Sequence, residues 1–187
     1  LHMQTLINDL LAYSRTKTTE RKFVISDLNK IVKEAINMLE EEIVNKQANI
    51  EVHELFEANV IPFQFRQLIQ NLISNSLKYA IAEVKPHIII KGESIKYDEL
   101  KFKDSILRCD HYHISVSDNG IGFDSTFKEK IFEMFQRLHS KNEYAGTGIG
   151  LTIARKIVDN HNGFITANSK INEGAQFDIY IPTVQIH

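Results

Sequence analysis

The chain has 187 residues, 43% of them hydrophobic and 25% charged, which excludes collagen-like, low-complexity and disordered classes and leaves enough length for a core without staples. Basic and acidic residues number 22 and 24, a net charge of −2, without the basic excess of a nucleic-acid binder. A single cysteine, Cys109, excludes an internal disulfide and a cysteine-only zinc site, and no apolar run is long enough for a membrane span.

Residues 1–15 (LHMQTLINDLLAYSR) predict a helix, with Met3, Leu6, Ile7 and Leu10 at helical spacing and Asn8, Asp9 and Arg15 off that stripe. Asn8 and Asp9 interrupt the run too early for a signal peptide. The uncapped start marks the end of a longer bundle helix, so a piece of a longer protein is expected. TKTTERK (16–22) reads as a linker. A strong helix is predicted over 26–46, capped by Ser26 or Asp27, with Leu28, Ile31, Val32, Ala35, Leu39 and Ile43 in one stripe. Glu40, Glu41 and Glu42 read as its solvated face. NIEVHEL (49–55) alternates as a strand. A second helix spans 61–80, with Pro62 in its first turn and Phe65, Leu68, Ile69, Leu72, Ile73 and Leu77 buried.

Strands follow at 87–95 and 112–118, the latter burying Tyr112, Ile114 and Val116, with a polar hairpin extension between them at 96–110. Residues 125–138 predict a short helix or helical turn, and 139–148 a loose loop ending in glycines. The third helix spans 150–161 and is ended by Gly163. GFITANSK and AQFDIYIP, flanking the turn INEG, form a C-terminal hairpin. About three long helices and at least five strands, spaced as hairpins, predict an α+β sandwich: a mixed, mostly antiparallel sheet with the helices on one face.

Two glycine clusters carry candidate chemistry, DNGIGF (118–123) and GTGIGL (146–151). Such turns permit positive φ and close backbone approach, and the second runs into a helix start, where free N–H groups attract anions. Neither has Walker A or G-x-G-x-x-G spacing. Asn71, Asn75 and Lys78 lie at i, i+4 and i+7 on one helix face. Asparagine carbonyls are hard oxygen ligands suited to Mg²⁺, although alone this trio reads as a polar helix edge. His111 and His113 share a strand face and read as an exposed pair, His139 and His161 as surface or lid residues, and Cys109 as inert.

The motifs in order resemble the catalytic ATP-binding domain of sensor histidine kinases, of the GHKL superfamily. NLISNSLKYA resembles the N box, DNGIGF the first glycine box, IFEMFQRL the phenylalanine box through Phe132 and Phe135, and GTGIGLTIARKIVDNHNG the second glycine box and its helix. EGAQFDIYIP resembles the terminal Gly-x-x-F strand, so the likeness covers about residues 23–183. INDLLAYSR resembles the end of the second dimerisation and phosphotransfer helix. The resemblance implies a Bergerat-type sandwich and three parts: 1–15 from the phosphotransfer hairpin, 16–22 as linker, and 23–187 as catalytic domain.

It further implies that Asp118 accepts a hydrogen bond from the adenine amino group. Asn75 would ligate Mg²⁺, while Asn71 and Lys78 contact the nucleotide, Lys78 near the phosphates. Tyr79 lies beside the site or in the core. Gly120 and Gly122 bring backbone to base and sugar. Gly146, Thr147, Gly148, Ile149, Gly150 and Leu151 shape the lid and phosphate end. Arg137 reaches the phosphates or forms a surface ion pair. Phe132 and Phe135 anchor the lid hinge, Phe135 counting among the nucleotide contacts. The chaperone and gyrase relatives carry glutamate where Asn71 stands, and an amide cannot act as a general base at neutral pH.

Transfer of the γ-phosphoryl group to a protein histidine is therefore implied, with ATP and Mg²⁺ required. The phosphoaccepting histidine belongs to a helix absent from this chain, in cis or from a dimer mate, and His2 is not assigned that role. A response-regulator receiver domain is the implied downstream partner, with no nucleic acid, no membrane contact by this segment, and a cytoplasmic location whether or not the parent carries an anchor. The competing readings are a gyrase- or chaperone-type ATPase clamp, a degenerate nucleotide-binding module, and a serine kinase that inhibits a sigma factor.

Overall fold

The computed structural model describes residues 22–100, 108–136 and 147–184. The predicted helix at 1–15, most of the linker, Arg137, His139 and Gly146 lie outside the described residues. Strand β1 (Val24–Asp27) leads into helix α1 (Leu28–Asn37), followed by α2 (Glu40–Asn45), β2 (Asn49–Val52) and β3 (Glu57–Val60). Then come α3 (Pro62–Lys78), β4 (His87–Ile95), β5 (His111–Asp118), α4 (Gly150–Asn160), β6 (Phe164–Ser169) and β7 (Ala175–Pro182).

The main sheet has the order β2-β4-β5-β7-β6, with β2 parallel to β4 and every other pair antiparallel. Beside it β1 and β3 form a two-stranded antiparallel ribbon. The α+β sandwich expected from the spacing of the strands is the observed architecture.

Period-2 alternation decides which side of the sheet is buried. Ile88, Ile90, Ile114, Val116, Phe177 and Ile179 point to the helical layer, where they meet Leu28, Val32, Phe65, Leu68, Ile69, Leu72, Ile73, Ile153 and Ile157. Fully burying each such side chain stabilises the fold by about 1.5–3 kcal/mol. The same alternation continues one step beyond Val116 and turns Asp118, at the end of β5, toward the helices.

Four sequence expectations change. The helix predicted over 26–46 is two helices. Ser26 and Asp27 belong to β1, and the Asp27 carboxylate accepts from the Asn29 N–H to cap α1. After Met38 the chain tightens, with the Leu39 N–H donating to the Ile36 carbonyl, and α2 begins afresh. Glu40, Glu41 and Glu42 form its first turn, where negative charge meets the positive end of the helix dipole.

The predicted turn at 125–138 is two single 3-10 turns, Ser125–Phe127 and Lys130–Phe132. Asp124 caps the first by accepting from the backbone and hydroxyl of Thr126. The left-handed residue that ends α4 is Asn162, φ 56°, one position before Gly163.

The histidines are the fourth change. His161 is fully buried: its Nδ1–H donates to the Ile157 carbonyl and its Nε2 accepts from the Ile61 N–H at 2.9 Å. Burial pushes the imidazole down to about 4. His111 is buried too, its Nδ1 2.7 Å from the Cys109 carbonyl, and burial lowers its pKa. His113, on the outer sheet face, stacks on Tyr180, which stacks on Phe164. Its two ring nitrogens each lie 2.9 Å from a carboxylate, Asp178 and Glu93. The Asp178 hydrogen bond foremost holds the His113 imidazolium above its ordinary range. The insert after β4 is tied at its base by Asp110, which accepts from Lys96 and from the Tyr97 N–H, while Leu100 is buried.

Candidate functional site

A cleft enclosing about 610 Å³ out to where it meets solvent opens between the C-terminal half of α3, the end of β5 and the start of β7. Its walls are Asn75, Ser76, Tyr79, Asp118, Gly122, Phe123, Ile131, Gln136, Leu151, Ala175 and Phe177. Most of these surfaces are apolar, and the polar groups come from the C-terminal end of α3, from Asp118 and from Gln136.

Helix α3 supplies one wall because its apolar stripe docks on the sheet and leaves Asn71 and Asn75 one step round the helix. The helix ends at Tyr79, whose N–H donates to the Asn75 carbonyl and whose own carbonyl accepts from the Ile121 N–H at 2.9 Å. Lys46 donates to the Leu77 carbonyl at 2.7 Å and so satisfies another free carbonyl of the last turn. The glycine-box turn after β5 is thereby fastened to the end of the asparagine helix.

Asp118 is the fixed anion of the cleft. Its Oδ1 accepts from the Gly120 N–H at 2.9 Å and the Ala175 N–H at 3.2 Å. Its Oδ2 accepts from the Ser76 hydroxyl at 2.8 Å. Next to it, Asn119 accepts from the His87 N–H and donates to the Lys85 carbonyl, joining the turn to the start of β4.

The glycines of the first cluster answer to the protein's own backbone. A Cβ on Gly120 would stand 2.5 Å from the Tyr79 carbonyl oxygen. Gly122, φ +60°, would place one 2.2 Å from the Lys170 carbonyl oxygen, a contact no side chain survives. Gly122 also lines the cleft, so the turn is glycine-rich in order to fit beneath its neighbours as well as to leave room for a ligand.

At the other rim, the Asn71 amide donates to the Gly150 carbonyl at 3.1 Å and ties α3 to the first turn of α4. Gly150 faces Asn75 with space to spare, since a Cβ there would lie 3.9 Å from the Asn75 Nδ2. Leu151 reaches the cleft, whereas Ile149 is fully buried in the core. Thr147 and Gly148 precede α4, and the Gly148 carbonyl accepts from the N–H of Phe135. Phe135 is 55% exposed with φ 63° and does not line the cleft, while Phe132 is buried and covered by Arg155. Lys78 donates to the Tyr79 hydroxyl at 2.9 Å and stays outside the cleft wall.

Sequence reasoning missed Ser76 and the apolar wall formed by Phe123, Ile131, Ala175 and Phe177. A signal for Ser76 was present. Position 76 continues the buried stripe of Leu72 and Ile73, where a hydroxyl must find a partner to be tolerated.

Among known proteins, the chain is 39% identical over 180 residues to cyanobacterial phytochrome A of Nostoc sp., covering 96% of this chain and 22% of that protein. It thus spans about a fifth of the length of such curated relatives. Among solved structures, the catalytic domain of the histidine kinase ThkA superposes with a TM-score of 0.67 at 27% identity, covering 86% of this chain and 95% of that one. Full-length ShkA, solved in complex with AMPPNP, shares the fold with a TM-score of 0.76 at 19% identity over 99% of this chain and 36% of that one. The family described as histidine kinase-, DNA gyrase B- and HSP90-like ATPase matches residues 61–185. With two thirds of its length matched, and with the asparagine helix, the Asp118 turn and the glycine-led α4 gathered around one cleft, the chain belongs to that family.

Proposed function

We propose that this chain is the ATP-binding catalytic domain of a two-component sensor histidine kinase, preceded at 1–15 by the tail of its phosphotransfer hairpin and at 16–22 by a linker. The observation that carries the reading is Asp118: a carboxylate pinned by three protein donors at a cleft with mostly apolar walls. It accepts the 6-amino group of adenine, with Phe123, Ile131, Leu151 and Phe177 along the ring faces. A guanine carbonyl there would oppose the carboxylate and leave buried acceptors unpaired, so ATP is preferred to GTP.

The phosphates extend toward Asn75 and the first turn of α4. A Mg²⁺ ion suits the donor set, because an asparagine carbonyl and phosphate oxygens are hard ligands and Gly150 leaves room beside Asn75; bound there, it would neutralise phosphate charge. Lys78, Gly146, Thr147, Gly148 and Arg137 serve the phosphate end and the lid, and Tyr79 borders the base. Asn71 holds α4 through the Gly150 carbonyl, and its amide cannot take a proton from water. That supports transfer to an incoming imidazole over hydrolysis, with positioning as the chief contribution. The imidazole comes from a phosphotransfer helix of the same protein or of a dimer mate, and a response-regulator receiver domain takes the phosphoryl group next. The catalytic unit acts in the cytoplasm.

Calorimetric titration of ATP, with and without Mg²⁺, tests the reading on the wild-type chain and on Asp118→Ala. Saturable binding that Mg²⁺ strengthens and Asp118→Ala abolishes is expected. A folded wild-type chain that binds no ATP overturns it.

A further inference from the structure

We propose that Ser76 is a positioning residue that makes Asp118 a reader of a single N–H donor, and thereby sets the preference for a 6-aminopurine over purines lacking that group. The inference rests on the reading of the cleft as an adenine site.

A carboxylate offers two acceptor directions on each oxygen. Both directions of the Asp118 Oδ1 are taken, by the N–H groups of Gly120 at 2.9 Å and Ala175 at 3.2 Å. These two bonds converge on one oxygen and leave Oδ2 with no backbone donor of its own. The Ser76 hydroxyl, 2.8 Å from Oδ2, supplies the third point and holds the second oxygen in place. It also occupies one of the two directions on Oδ2. One acceptor direction remains, on an oxygen whose residue lines the cleft. The donors come from α3, from the turn after β5 and from β7, so the orientation is set by the fold and not by one flexible loop.

Nothing about folding alone asks for serine here. Position 76 is 3% exposed and lies on the buried stripe of α3. Alanine is the better helix former, and a buried hydroxyl is tolerated only when bonded. Serine in a helix commonly returns its hydroxyl to the preceding turn, whereas Ser76 spends its proton on Asp118 in another element.

The test compares ATP with purine riboside triphosphate, which lacks the 6-amino group, by calorimetric titration of the wild-type chain, Ser76→Ala and Ser76→Thr. Each variant is first shown to be folded by cooperative thermal unfolding. Wild type should favour ATP. Ser76→Ala should lose roughly tenfold in ATP affinity, the scale of one charge-assisted hydrogen bond, and stay within about twofold for the analogue, so that the ratio collapses. Ser76→Thr keeps a hydroxyl and should hold the wild-type ratio. Equal losses for both nucleotides in Ser76→Ala, an unchanged ratio there, or a lost ratio in folded Ser76→Thr would overturn the role of Ser76 and leave the adenine reading intact. A wild-type chain that binds the two nucleotides equally overturns both.

Discussion

Polar side chains gather at both ends of α3 and are used in opposite ways. At the N-terminal end Gln64 accepts from Asn160, and His161 accepts from the Ile61 N–H while donating to the Ile157 carbonyl. All three side chains are buried and hydrogen-bonded to other protein groups. At the C-terminal end Asn75, Ser76 and Tyr79 meet a cleft, and Asp118 opposite them keeps an open acceptor direction. Polar groups whose bonding capacity is filled by the protein hold it together. Polar groups fixed in place with capacity left over are what a ligand can use.

The contrast can be broken most severely at the closed end. His161→Ala should cost about 3–4 kcal/mol of stability, from the cavity it leaves and the orphaned Ile61 N–H, with nucleotide affinity of the folded fraction retained. Denaturant unfolding measures the first and calorimetry the second. A loss below about 1 kcal/mol would mean that the closed end is not a structural bolt.

Acid should act on the same residue. The folded pKa of His161 is depressed to about 4 from an ordinary 6.5, so between those values the unfolded chain binds a proton that the folded chain refuses. Stability should be fully retained above about pH 6.5 and fall as pH drops toward 4, by about 3 kcal/mol in all. Unfolding midpoints of wild type and His161→Phe across this window check it, because the aromatic replacement should lose this share of the acid slope.

At the open end, Asp118→Asn should leave the fold nearly intact and lose about 100-fold in ATP affinity. The Asn oxygen would stay with the Gly120 and Ala175 N–H groups, and its amide would then point a donor at the adenine amino group. Retained affinity in calorimetry would show that the open acceptor is not what the cleft uses. The smallest effect is expected outside both ends. Arg66 pairs with Glu34 at 2.7 Å on the surface between α3 and α1, and Arg66→Ala should change stability by no more than about 0.5 kcal/mol, since such pairs are screened by solvent. A larger loss in denaturant unfolding would mean that the surface of α3 contributes as its ends do.

Much of this was legible beforehand, for local reasons. The stripe from Phe65 to Leu77 admits only a helix docked on an apolar surface, and β4 runs over 87–95 as its alternation requires. DNGIGF, GTGIGL and the spacing of Asn71 and Asn75 named the right neighbourhood, because turn chemistry and helical periodicity are short-range properties. The break at Met38 was not legible: it depends on where α1 stops packing and on the start that three glutamates offer a new helix. Strand β1 was missed because it exists only by pairing with β3, itself four residues long.

The histidines mark the limit most clearly. His161, His113 and His111 are chemically identical in the sequence, yet one is sealed in the core, one lies between two carboxylates that raise its pKa, and one is buried at the start of β5. The sequence by itself determined the periodicities, the turns and therefore the list of elements, since each depends on residues within a few positions of one another. Only the tertiary structure decided the partners: Ser76 with Asp118 across 42 positions, Ile61 with His161 across 100, and Asn71 with Gly150 across 79. Hydrogen-bond capacity and charge state are settled by whatever packs nearby, and no local pattern encodes that.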